Sequence, residues 1–479
     1  MSNTIEDNEV DLLIVGAGPA GMASALQARE LGIQTLVVDE KGQPGGQIYA
    51  GHHGSPDFDR SFLGKDYAKG RSLIDAFMAS DCRRMFKSLV WDISQDGHAC
   101  MSDGSQTSFV LARHVILASG ALERAFPFEG WTLPGVMTAG GAQILLKTAG
   151  IVPSHPVVLA GSGPLLLLLA TQFLACGVPV SAVLDTTPAS NWRRATPFLA
   201  GFLSSRLAAK GAAMLLRLRA SGIPVLGRVT QIRAIGNGKI ETVEYRHEGQ
   251  IGRLQAETLI VHQGIEPETR LARVANANHA WDARTRSWLP ACDEFGRTSI
   301  PHISVAGDGR AILGADAAPA TGRIAAIDAA FALGRIDRDT RQRLSDPLFK
   351  ELRRLGKPRK FIDALFSPFP GLYDNLNDST LVCRCEEIPA ARIREEARRS
   401  SADINSVKSR LRCGMGPCQG RFCETTVREL LLRTAVPSCQ EVGQLRIRPP
   451  IKPVGVEEII SLGVKEIPPE SRIPLEPRA

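Results

Sequence analysis

Apolar runs and glycine turns alternate along the first 40 residues and predict a strand, a helix and a second strand. The apolar segment DLLIV, residues 11 to 15, leads into the turn GAGPAG, which matches G-x-G-x-x-G at Gly16, Gly18 and Gly21. Here the first glycine permits a tight turn, the second lets backbone approach a pyrophosphate, and the third allows close helix–strand packing. The pattern predicts a dinucleotide-binding β-α-β unit whose helix N-terminus receives the pyrophosphate.

The polar end of the second strand supplies the next part of this predicted site. Asp39 lies 23 residues after Gly16 and is followed by Glu40. A carboxylate at the end of this strand accepts hydrogen bonds from ribose hydroxyls. We expect Asp39, with Glu40 as its near competitor, to hold the ribose, and Pro19 and Ala20 of the first helical turn to line the nucleotide.

A second stretch, residues 157 to 184, is uncharged and long enough to resemble a membrane span. Glycine and proline interrupt it twice, which favours a buried strand, helix and strand instead. Gly161 and Gly163 match the dinucleotide fingerprint, but Leu166 replaces the third glycine, and we expect it to push the helix away from the strand. A second nucleotide, NAD or another, is therefore left as an option.

A helical stretch rich in Ala, Leu and Arg follows, at roughly residues 190 to 222. Three roles stay open for it on the sequence: capping a nucleotide, docking a partner, or packing against the rest of the fold.

The composition fits a soluble globular protein of several domains. The chain has 479 residues, of which 44% are apolar and 22% charged, so about two to four domains are expected. The net charge of +7 comes without a long Lys/Arg block, which argues against nucleic-acid binding. No transmembrane segment, secretory signal or transit peptide is predicted, and we expect a cytoplasmic protein.

The cysteines are unevenly spread, with five of the ten between residues 383 and 423. Cys383 and Cys385 stand two apart, so both thiolates face the same side of an extended backbone. Cys413, Cys418 and Cys423 follow with C-x4-C-x4-C spacing. A four-thiolate set suits a [2Fe–2S] cluster, a [4Fe–4S] cluster or structural zinc. Residues 1 to 380 contain no C-x-x-C or C-x4-C pair, so a dithiol reductase mechanism lacks its chemistry.

Two later strand-and-turn segments, HVILASGA (residues 114 to 121) and ISVAGDGR (residues 303 to 310), resemble the flavoprotein disulfide-reductase superfamily. PGGQI, residues 44 to 48, fits the loop after the second strand in that superfamily, and residues 320 to 330 fit the helix that faces the flavin pyrimidine. The resemblance implies FAD in the first fold. It assigns to that site Gly45, Gly46, Gln47, Ala118, Ser119, Gly120 and Asp308.

The C-x-C pair followed by G-M-G-x-C-Q-G-x-x-C resembles the bacterioferritin-associated-ferredoxin type of [2Fe–2S] domain. Together with two dinucleotide folds, it is similar to the alpha subunits of bacterial opine oxidases and to related subunits of amino-acid dehydrogenases and hydrogen cyanide synthase. The resemblance runs from GAGPAG to RPPIKPV at residues 448 to 454. It implies four cluster ligands, which are Cys383, Cys385, Cys418 and Cys423. Cys413 departs from the pattern and either substitutes for a ligand or lies as a small buried thiol beside the cluster.

The expected fold class is α/β, with two Rossmann-like dinucleotide-binding domains of the flavoprotein disulfide-reductase superfamily and a small, mainly helical C-terminal [2Fe–2S] domain. The expected domain boundaries are residues 1–125 and 295–345 for a discontinuous FAD-binding domain, 126–294 for the second nucleotide-binding-like domain, 346–378 for a linker, 379–440 for the [2Fe–2S] domain and 441–479 for a tail.

FAD handles two electrons and the cluster one, so the expected function is an electron relay. No acid–base constellation or nucleophile motif stands out, so substrate chemistry is expected on a partner. The resemblance implies a hetero-oligomeric dehydrogenase for opines or secondary amino acids, peripheral to the inner membrane through its complex. Its FAD-containing, sarcosine-oxidase-beta-like beta subunit, with a small gamma subunit, would oxidise the substrate's C–N bond.

Three alternatives to this function stay open. The chain could be the flavoprotein subunit of hydrogen cyanide synthase, which would differ mainly in the partner subunit. It could also be a self-sufficient NAD(P)H-dependent FAD and iron–sulfur reductase, or a scaffold with vestigial nucleotide folds.

Overall fold

The computed structural model describes residues 9–52, 59–374, 376–399, 403–435 and 438–466, with backbone alone for 462–466. The end of the expected tail, from residue 467 on, therefore lies outside the described residues. The strands are β1 (Glu9–Val15), β2 (Thr35–Asp39), β3 (Arg83–Phe86), β4 (Leu89–Ile93), β5 (His98–Ser102), β6 (Thr107–Leu117), β7 (Ala121–Glu123), β8 (Val136–Thr138), β9 (Val157–Ser162), β10 (Val180–Asp185), β11 (Val225–Leu226), β12 (Val229–Ile235), β13 (Thr242–His247), β14 (Gln250–Gln255), β15 (Thr258–Gln263), β16 (Ile265–Pro267), β17 (His279–Asp282), β18 (Ser287–Pro290), β19 (Ile303–Val305), β20 (Leu381–Cys383) and β21 (Ile388–Pro389).

Helices cover the sheets and make up most of the C-terminal part of the described chain. They are α1 (Pro19–Glu30), α2 (Lys65–Ala68), α3 (Gly70–Ala79), α4 (Ala139–Ala149), α5 (Pro164–Ala175), α6 (Ala189–Ala195), α7 (Leu199–Leu203), α8 (Arg206–Ala220), α9 (Arg270–Val274), α10 (Ala318–Ala332), α11 (Arg338–Leu365), α12 (Ala390–Arg399), α13 (Ile404–Leu411), α14 (Glu424–Thr434), α15 (Cys439–Val442) and α16 (Val456–Glu466).

The first sheet contains the predicted first nucleotide fold and extends it with a meander. Its strand order is β3-β2-β1-β6-β5-β4, and β19 pairs with the end of β6. Strands β1, β2, β3, β6 and β19 run parallel, whereas β4 and β5 are antiparallel. One face of β1 and β2 packs on α1, α3 and α10, and the other on the meander and α9. Burial of both faces explains why these strands are continuous apolar runs.

The uncharged stretch forms the predicted strand, helix and strand, which are β9, α5 and β10. These belong to a parallel sheet with the order β11-β10-β9-β15-β8. Leu166 is buried in the core between this sheet and its helices, and α5 still begins at Pro164. The bulky residue is therefore absorbed by apolar packing. The short antiparallel pair β7–β16 joins this second fold to the first.

The predicted helical stretch is divided into α6, α7 and α8 and packs on two neighbours. Ala195 and Phe202 contact Phe361 of α11, and Leu218 lies in the core with α5. Leu203 and Leu216 stay largely exposed, at 65% and 64%. In the part of the chain that is described, no individual helix is long and apolar enough to cross a bilayer; the segments Ala189–Leu203 and Arg206–Ala220 meet that test only as a pair bent by 106°.

Residues 346–378, expected to be a linker, are largely helical. The helix α11 runs for 28 residues through both Pro347 and Pro358. Its first half packs on α10 around Leu348, and its end packs on the α6–α7 segment around Phe361. Packing on both sides holds the segment helical where prolines alone would favour a break.

The C-terminal domain is small and mainly helical, as expected. The hairpin β20–β21 and the helices α12 to α15 enclose a compact apolar core that includes Val382, Ile393, Val407 and Leu430. Three of its cysteines lie in this core, so the cysteine cluster is part of the packed interior. Trp131 of the second fold donates its indole Nε1–H to the Leu381 carbonyl, 2.8 Å away, and ties this domain to the rest of the molecule.

Candidate functional site

The predicted flavin site is built on the turn between β1 and α1. Gly16 has φ +105°, and a Cβ there would lie 2.6 Å from the Ala118 carbonyl oxygen. A Cβ on Gly21 would lie 1.8 Å from the Gly16 carbonyl oxygen. Gly18 precedes Pro19, the first residue of α1. These close approaches require glycine and leave the N-terminus of α1 facing the edge of the sheet where a pyrophosphate would bind.

Asp39 is anchored to this turn by both carboxylate oxygens. Its Oδ2 accepts the Ala17 amide hydrogen at 2.6 Å, and its Oδ1 accepts that of Lys41 at 2.8 Å. Burial raises the pKa of Asp39, and the two amide donors oppose this rise. Glu40 is exposed and forms an ion pair with Lys452. Asp39 is thus the residue held at the turn, and Glu40 ties the C-terminal segment to this edge of the fold.

The PGGQ loop closes over the same turn. The Gly45 amide donates to the Ala17 carbonyl at 2.8 Å, and a Cβ on Gly46 would lie 3.0 Å from the Cα of Gly18. Gln47 donates its side-chain amide to the Ala121 carbonyl. Lys147 of α4 donates to the carbonyls of Gln47 and Ile48, and burial lowers its pKa to about 8. The loop therefore contacts both nucleotide folds.

Ala118, Ser119 and Gly120 form the turn after β6, and Asp308 lies beside it after β19. Ser119 donates its hydroxyl to the Glu268 carbonyl at 2.9 Å, and Gly120 accepts the Glu268 amide at the same distance. The Oδ1 atom of Asp308 accepts the amides of Leu313 and Gly314, which folds the following loop around this carboxylate.

Helix α10 is positioned against the flavin turn by a close helix crossing. A Cβ on Gly322 would lie 2.1 Å from the Ala20 carbonyl oxygen, and Ser24 donates to the carbonyls of both Ala20 and Gly322. Thr321 accepts the Gly307 amide at 2.9 Å. The structure therefore brings every residue predicted for the first site to one edge of the first sheet.

The second fold contains a buried acid–histidine pair that the sequence motifs did not reveal. His262, at the end of β15, bonds Glu123 through Nδ1 at 2.5 Å, and the other Glu123 oxygen accepts the Gly140 amide at 2.6 Å. A Cβ on Gly163 would lie 3.0 Å from Nε2 of His262, and a Cβ on Gly161 would lie 1.8 Å from the His262 carbonyl oxygen. Both glycines thus make room for His262. A histidine after an apolar strand was the only signal in the sequence.

Five cysteines converge in the C-terminal domain and form two groups. Cys383 is hydrogen-bonded to the side chains of both Cys413 and Cys423, and all three are buried. Cys385, which is exposed, contacts Cys418. All four predicted ligands are therefore brought together. The structure also adds Cys413, which the family pattern left out.

Hydrogen bonds and local turns prepare this site for negative charge. Bonds from Cys413 and Cys423, and from the amides of Glu386 and Gly414, lower the pKa of Cys383 to about 2, although burial opposes them. A Cβ on Gly416 would lie 2.3 Å from the Cβ of Cys385. Gly416 thus lets the two halves of the site approach each other.

The thiol arrangement fits two irons better than one metal ion. Within the described residues, no three His, Cys, Asp or Glu side chains are grouped as a single metal ion would require. A [2Fe–2S] cluster needs four thiolates, two for each iron. The pairing of Cys385 with Cys418 and of Cys383 with its neighbours meets that need.

A buried ion-pair network connects the cysteine loop to the flavin turn. Arg270 binds Glu268 at 2.6 Å and donates its Nε–H to the Gln419 carbonyl at 3.4 Å. Arg421 lies 3.6 Å from the same carboxylate. Burial would raise the pKa of Glu268, but Arg270 and Arg421 lower it overall. Since Glu268 also contacts Ser119 and Gly120, a short chain of contacts runs from one predicted cofactor site to the other.

Further ion pairs fix the two domains together. Arg273 of α9 contacts both Glu424 oxygens at 3.0 Å, and Arg286 contacts both Glu429 oxygens at 2.8 and 2.7 Å. Both glutamates lie on α14 and are buried. Planar, paired contacts of this kind fix orientation as well as distance.

Two family models match the chain, one over each predicted cofactor region. The model for pyridine nucleotide-disulphide oxidoreductases matches residues 10–334, and the model for the BFD-like [2Fe-2S] binding domain matches residues 381–433. Together the matches support a flavin and a [2Fe–2S] cluster.

Curated relatives match almost the whole chain. It is 39% identical to the first (A-type) subunit of the opine oxidase of Rhizobium meliloti, over 94% of this chain and 87% of that protein. It is 31% identical to hydrogen cyanide synthase subunit HcnB of Pseudomonas aeruginosa, over 95% of this chain and 99% of that protein. Among solved structures, L-proline dehydrogenase from P. horikoshii matches 94% of this chain and 79% of its own, with a TM-score of 0.70 and 18% identity. That last likeness concerns the fold.

Proposed function

This chain belongs to the pyridine nucleotide-disulphide oxidoreductase family and to the family of A-type opine oxidase subunits, and we propose that it is the electron-transferring subunit of a larger dehydrogenase. It is an oxidoreductase subunit of the flavin and [2Fe–2S] type. The substrate we propose is an opine or a related secondary amino acid, because A-type subunits of opine oxidases are among its relatives.

The observation that carries this proposal is the buried network between the two predicted cofactor sites. Glu268 contacts the flavin turn at Ser119 and the cysteine loop through Arg270 and Arg421. Buried, hydrogen-bonded ion pairs hold their partners in one geometry. An electron carrier fixed against a flavin fold in this way is suited to relay electrons inside one chain.

Each motif has a defined role in this proposal. Gly16, Gly18, Gly21 and the first turn of α1 would hold the FAD pyrophosphate, and Asp39 the ribose. Cys383, Cys385, Cys418 and Cys423 would hold the cluster. When bound, FAD supplies two-electron chemistry and the cluster supplies one-electron chemistry. The protein's own task is to bind, orient and connect them.

Substrate oxidation is assigned to a partner. We propose an FAD-containing, sarcosine-oxidase-beta-like beta subunit, with a small gamma subunit, since the matched relatives are named as subunits. Removal of two electrons and two protons from the C–N bond gives an imine, and water hydrolyses it to a 2-oxo acid and an amino acid. The two electrons then leave through this chain.

The hollows described in this chain support that division of labour. One, bounded by Phe126, Phe128 and Leu376, encloses about 40 Å³, which is room for a few waters rather than for an opine. Another, lined by Arg246, Asp374 and Arg394 among others, is open and polar. Its lining includes none of the residues assigned to a cofactor.

The deciding experiment compares the chain purified anaerobically alone and with its partner. We expect flavin absorption bands and, after dithionite, the EPR signal of a reduced [2Fe–2S] cluster. An opine should reduce these centres only when the partner is present. Opine oxidation by the chain alone would contradict the proposal, as would flavin without iron.

A second candidate function, an NAD(P)H-dependent reductase, is favoured by one feature of the second fold. Asp185 ends β10 after Gly161 and Gly163, at the place that Asp39 occupies in the first fold. Rapid bleaching of the flavin by NADH or NADPH would support this candidate. Reduction by glycine in place of an opine, with the partner present, would instead support a hydrogen cyanide synthase subunit.

A further inference from the structure

We propose that Cys413 is a reserve ligand of the cluster, which takes the place of Cys423 at the buried iron. This inference rests on the proposed [2Fe–2S] cluster and goes beyond the four ligands that the family pattern implies.

The two halves of the site do not offer equal numbers of thiols. The outer half has Cys385 and Cys418, which contact each other. The inner half has three, because Cys383 is hydrogen-bonded to both Cys413 and Cys423. Each iron of a [2Fe–2S] cluster takes two thiolates. The inner iron therefore has one thiol more than it needs, and the outer iron has none to spare.

The helices around the site decide which inner thiol is used first. Cys423 is the N-cap of α14, where the helix dipole favours a thiolate. Cys413 comes one residue after Arg412, the C-cap of α13, and the carboxyl end of a helix disfavours negative charge. Cys423 is thus the better ligand, and Cys413 is the second choice.

The backbone keeps Cys413 within reach of the inner iron. Arg412 and Gly414 both have positive φ, +61° and +86°, so the chain reverses direction around Cys413. The Gly414 amide bonds Cys383, and a Cβ on Gly414 would lie 2.7 Å from Cδ1 of Leu445. Cys413 is 1% exposed. A buried, fixed thiol that already touches one ligand can replace another with little movement.

The test compares alanine variants of the full chain, with the wild type as reference. Iron and acid-labile sulfide are measured per chain, together with the EPR spectrum after dithionite. The wild type should contain about two irons per chain. Cys423→Ala should retain most of this iron, with altered EPR g-values, and Cys413→Ala should retain all of it.

The matched control is Cys418→Ala, in the half without a spare thiol, which should lose nearly all of its iron. The double variant C413A/C423A should lose it equally. Loss of iron from Cys423→Ala to the level of Cys418→Ala would overturn the inference, and so would loss from Cys413→Ala alone. A wild-type chain without iron would overturn the cluster itself, so the two failures are distinguishable.

Folding is checked by the flavin content and circular dichroism of each variant. If Cys423→Ala does not fold, Cys423→Ser replaces it, because serine keeps the size of the side chain and an oxygen at the N-cap. The comparison is then between C423S and C413A/C423S. More iron in C423S supports a ligand role for Cys413, and equal iron in both refutes it.

Discussion

At the scale of single residues, glycines decide how closely the loops around the cofactor sites approach each other. Gly21 lets α1 rest on the Gly16 carbonyl, and Gly322 lets α10 cross α1. Gly416 does the same for the cysteine site, where its hydrogen faces Cys385. At these positions the lack of a side chain allows a contact that any other residue would prevent.

Replacing Gly416 by alanine tests this at the cysteine site. The new methyl carbon would lie 2.3 Å from the Cβ of Cys385, so one of the two segments must move. We expect Gly416→Ala to lose most of its iron and keep its flavin, as measured by metal analysis and absorption. The control is Gly211→Ala in α8, where a Cβ meets nothing within 4 Å. Normal iron content in Gly416→Ala would contradict the expectation.

His114 makes the stability of the first fold depend on pH. Its Nε2 contacts the Ser304 hydroxyl at 3.0 Å, and burial, with Arg297 and His302 nearby, lowers its pKa from 6.5 to about 3. Between these values the unfolded chain binds the proton and the folded one does not. Stability is therefore present above about pH 6.5 and is lost as the pH falls towards 3.

We expect His114→Gln to lose about 3 kcal/mol of the fall in unfolding free energy between about pH 7 and pH 4. The measurement is urea unfolding of the variant and the wild type at both pH values. Parallel pH profiles for the two proteins would show that His114 contributes nothing. His279, whose pKa burial lowers to about 4, should maintain part of the remaining dependence.

At the scale of elements, the contacts between α9, α14 and the loop after β16 hold the cysteine domain against the flavin fold. Three carboxylates, those of Glu268, Glu424 and Glu429, are each bound by arginine. The partners are far apart in sequence, and neither α9 nor α14 has a pattern that announces the other. The docking therefore depends on where each helix lies in the fold.

Removing one charge from this interface should loosen it. Glu268→Gln keeps the side chain's shape but leaves Arg270 and Arg421 without their carboxylate. We expect a loss of about 3 kcal/mol in unfolding free energy and slower electron transfer from flavin to cluster, followed by stopped-flow absorption. The control is Glu248→Gln, in an exposed pair with Arg228, which should cost less than about 1 kcal/mol. Similar losses in both variants would contradict a special role for Glu268.

At the scale of the whole molecule, the segment at residues 448–454 closes the contact between domains. Ile451 is buried in the core of the first fold, and its amide donates to the Trp91 carbonyl at 3.1 Å. Arg421 of the cysteine loop donates to the Ile451 carbonyl at 3.0 Å. One short segment thus contacts both the flavin fold and the cysteine loop.

Truncating this side chain should weaken the whole assembly. Ile451→Ala leaves a cavity in a packed core, and we expect it to cost about 2–4 kcal/mol, measured by denaturant unfolding. Ile459→Ala, where the side chain is 42% exposed, is the control and should change stability by less than about 0.5 kcal/mol. An Ile451→Ala variant as stable as this control would show that the segment does not hold the domains together.

The local parts of the molecule were predictable from the sequence because their determinants are neighbours in the chain. An apolar run, a glycine turn and a helix at Gly16 to Gly21 form one unit, and so do β9, α5 and β10. The fold class was confirmed, as was the interpretation of residues 157 to 184 as a strand, a helix and a strand. The site residues themselves stay a prediction that the proposed experiments test.

What only the tertiary structure decided depends on contacts between distant residues. The helical state of residues 346–365, the pair of His262 with Glu123, and the convergence of Cys413 on Cys383 all arise from packing of separate elements. The path from Ser119 through Glu268 to Gln419 is of the same kind. Sequence patterns encode periodicity and turns, whereas such contacts follow from how whole elements are packed, and this packing positions the two predicted cofactor sites next to each other.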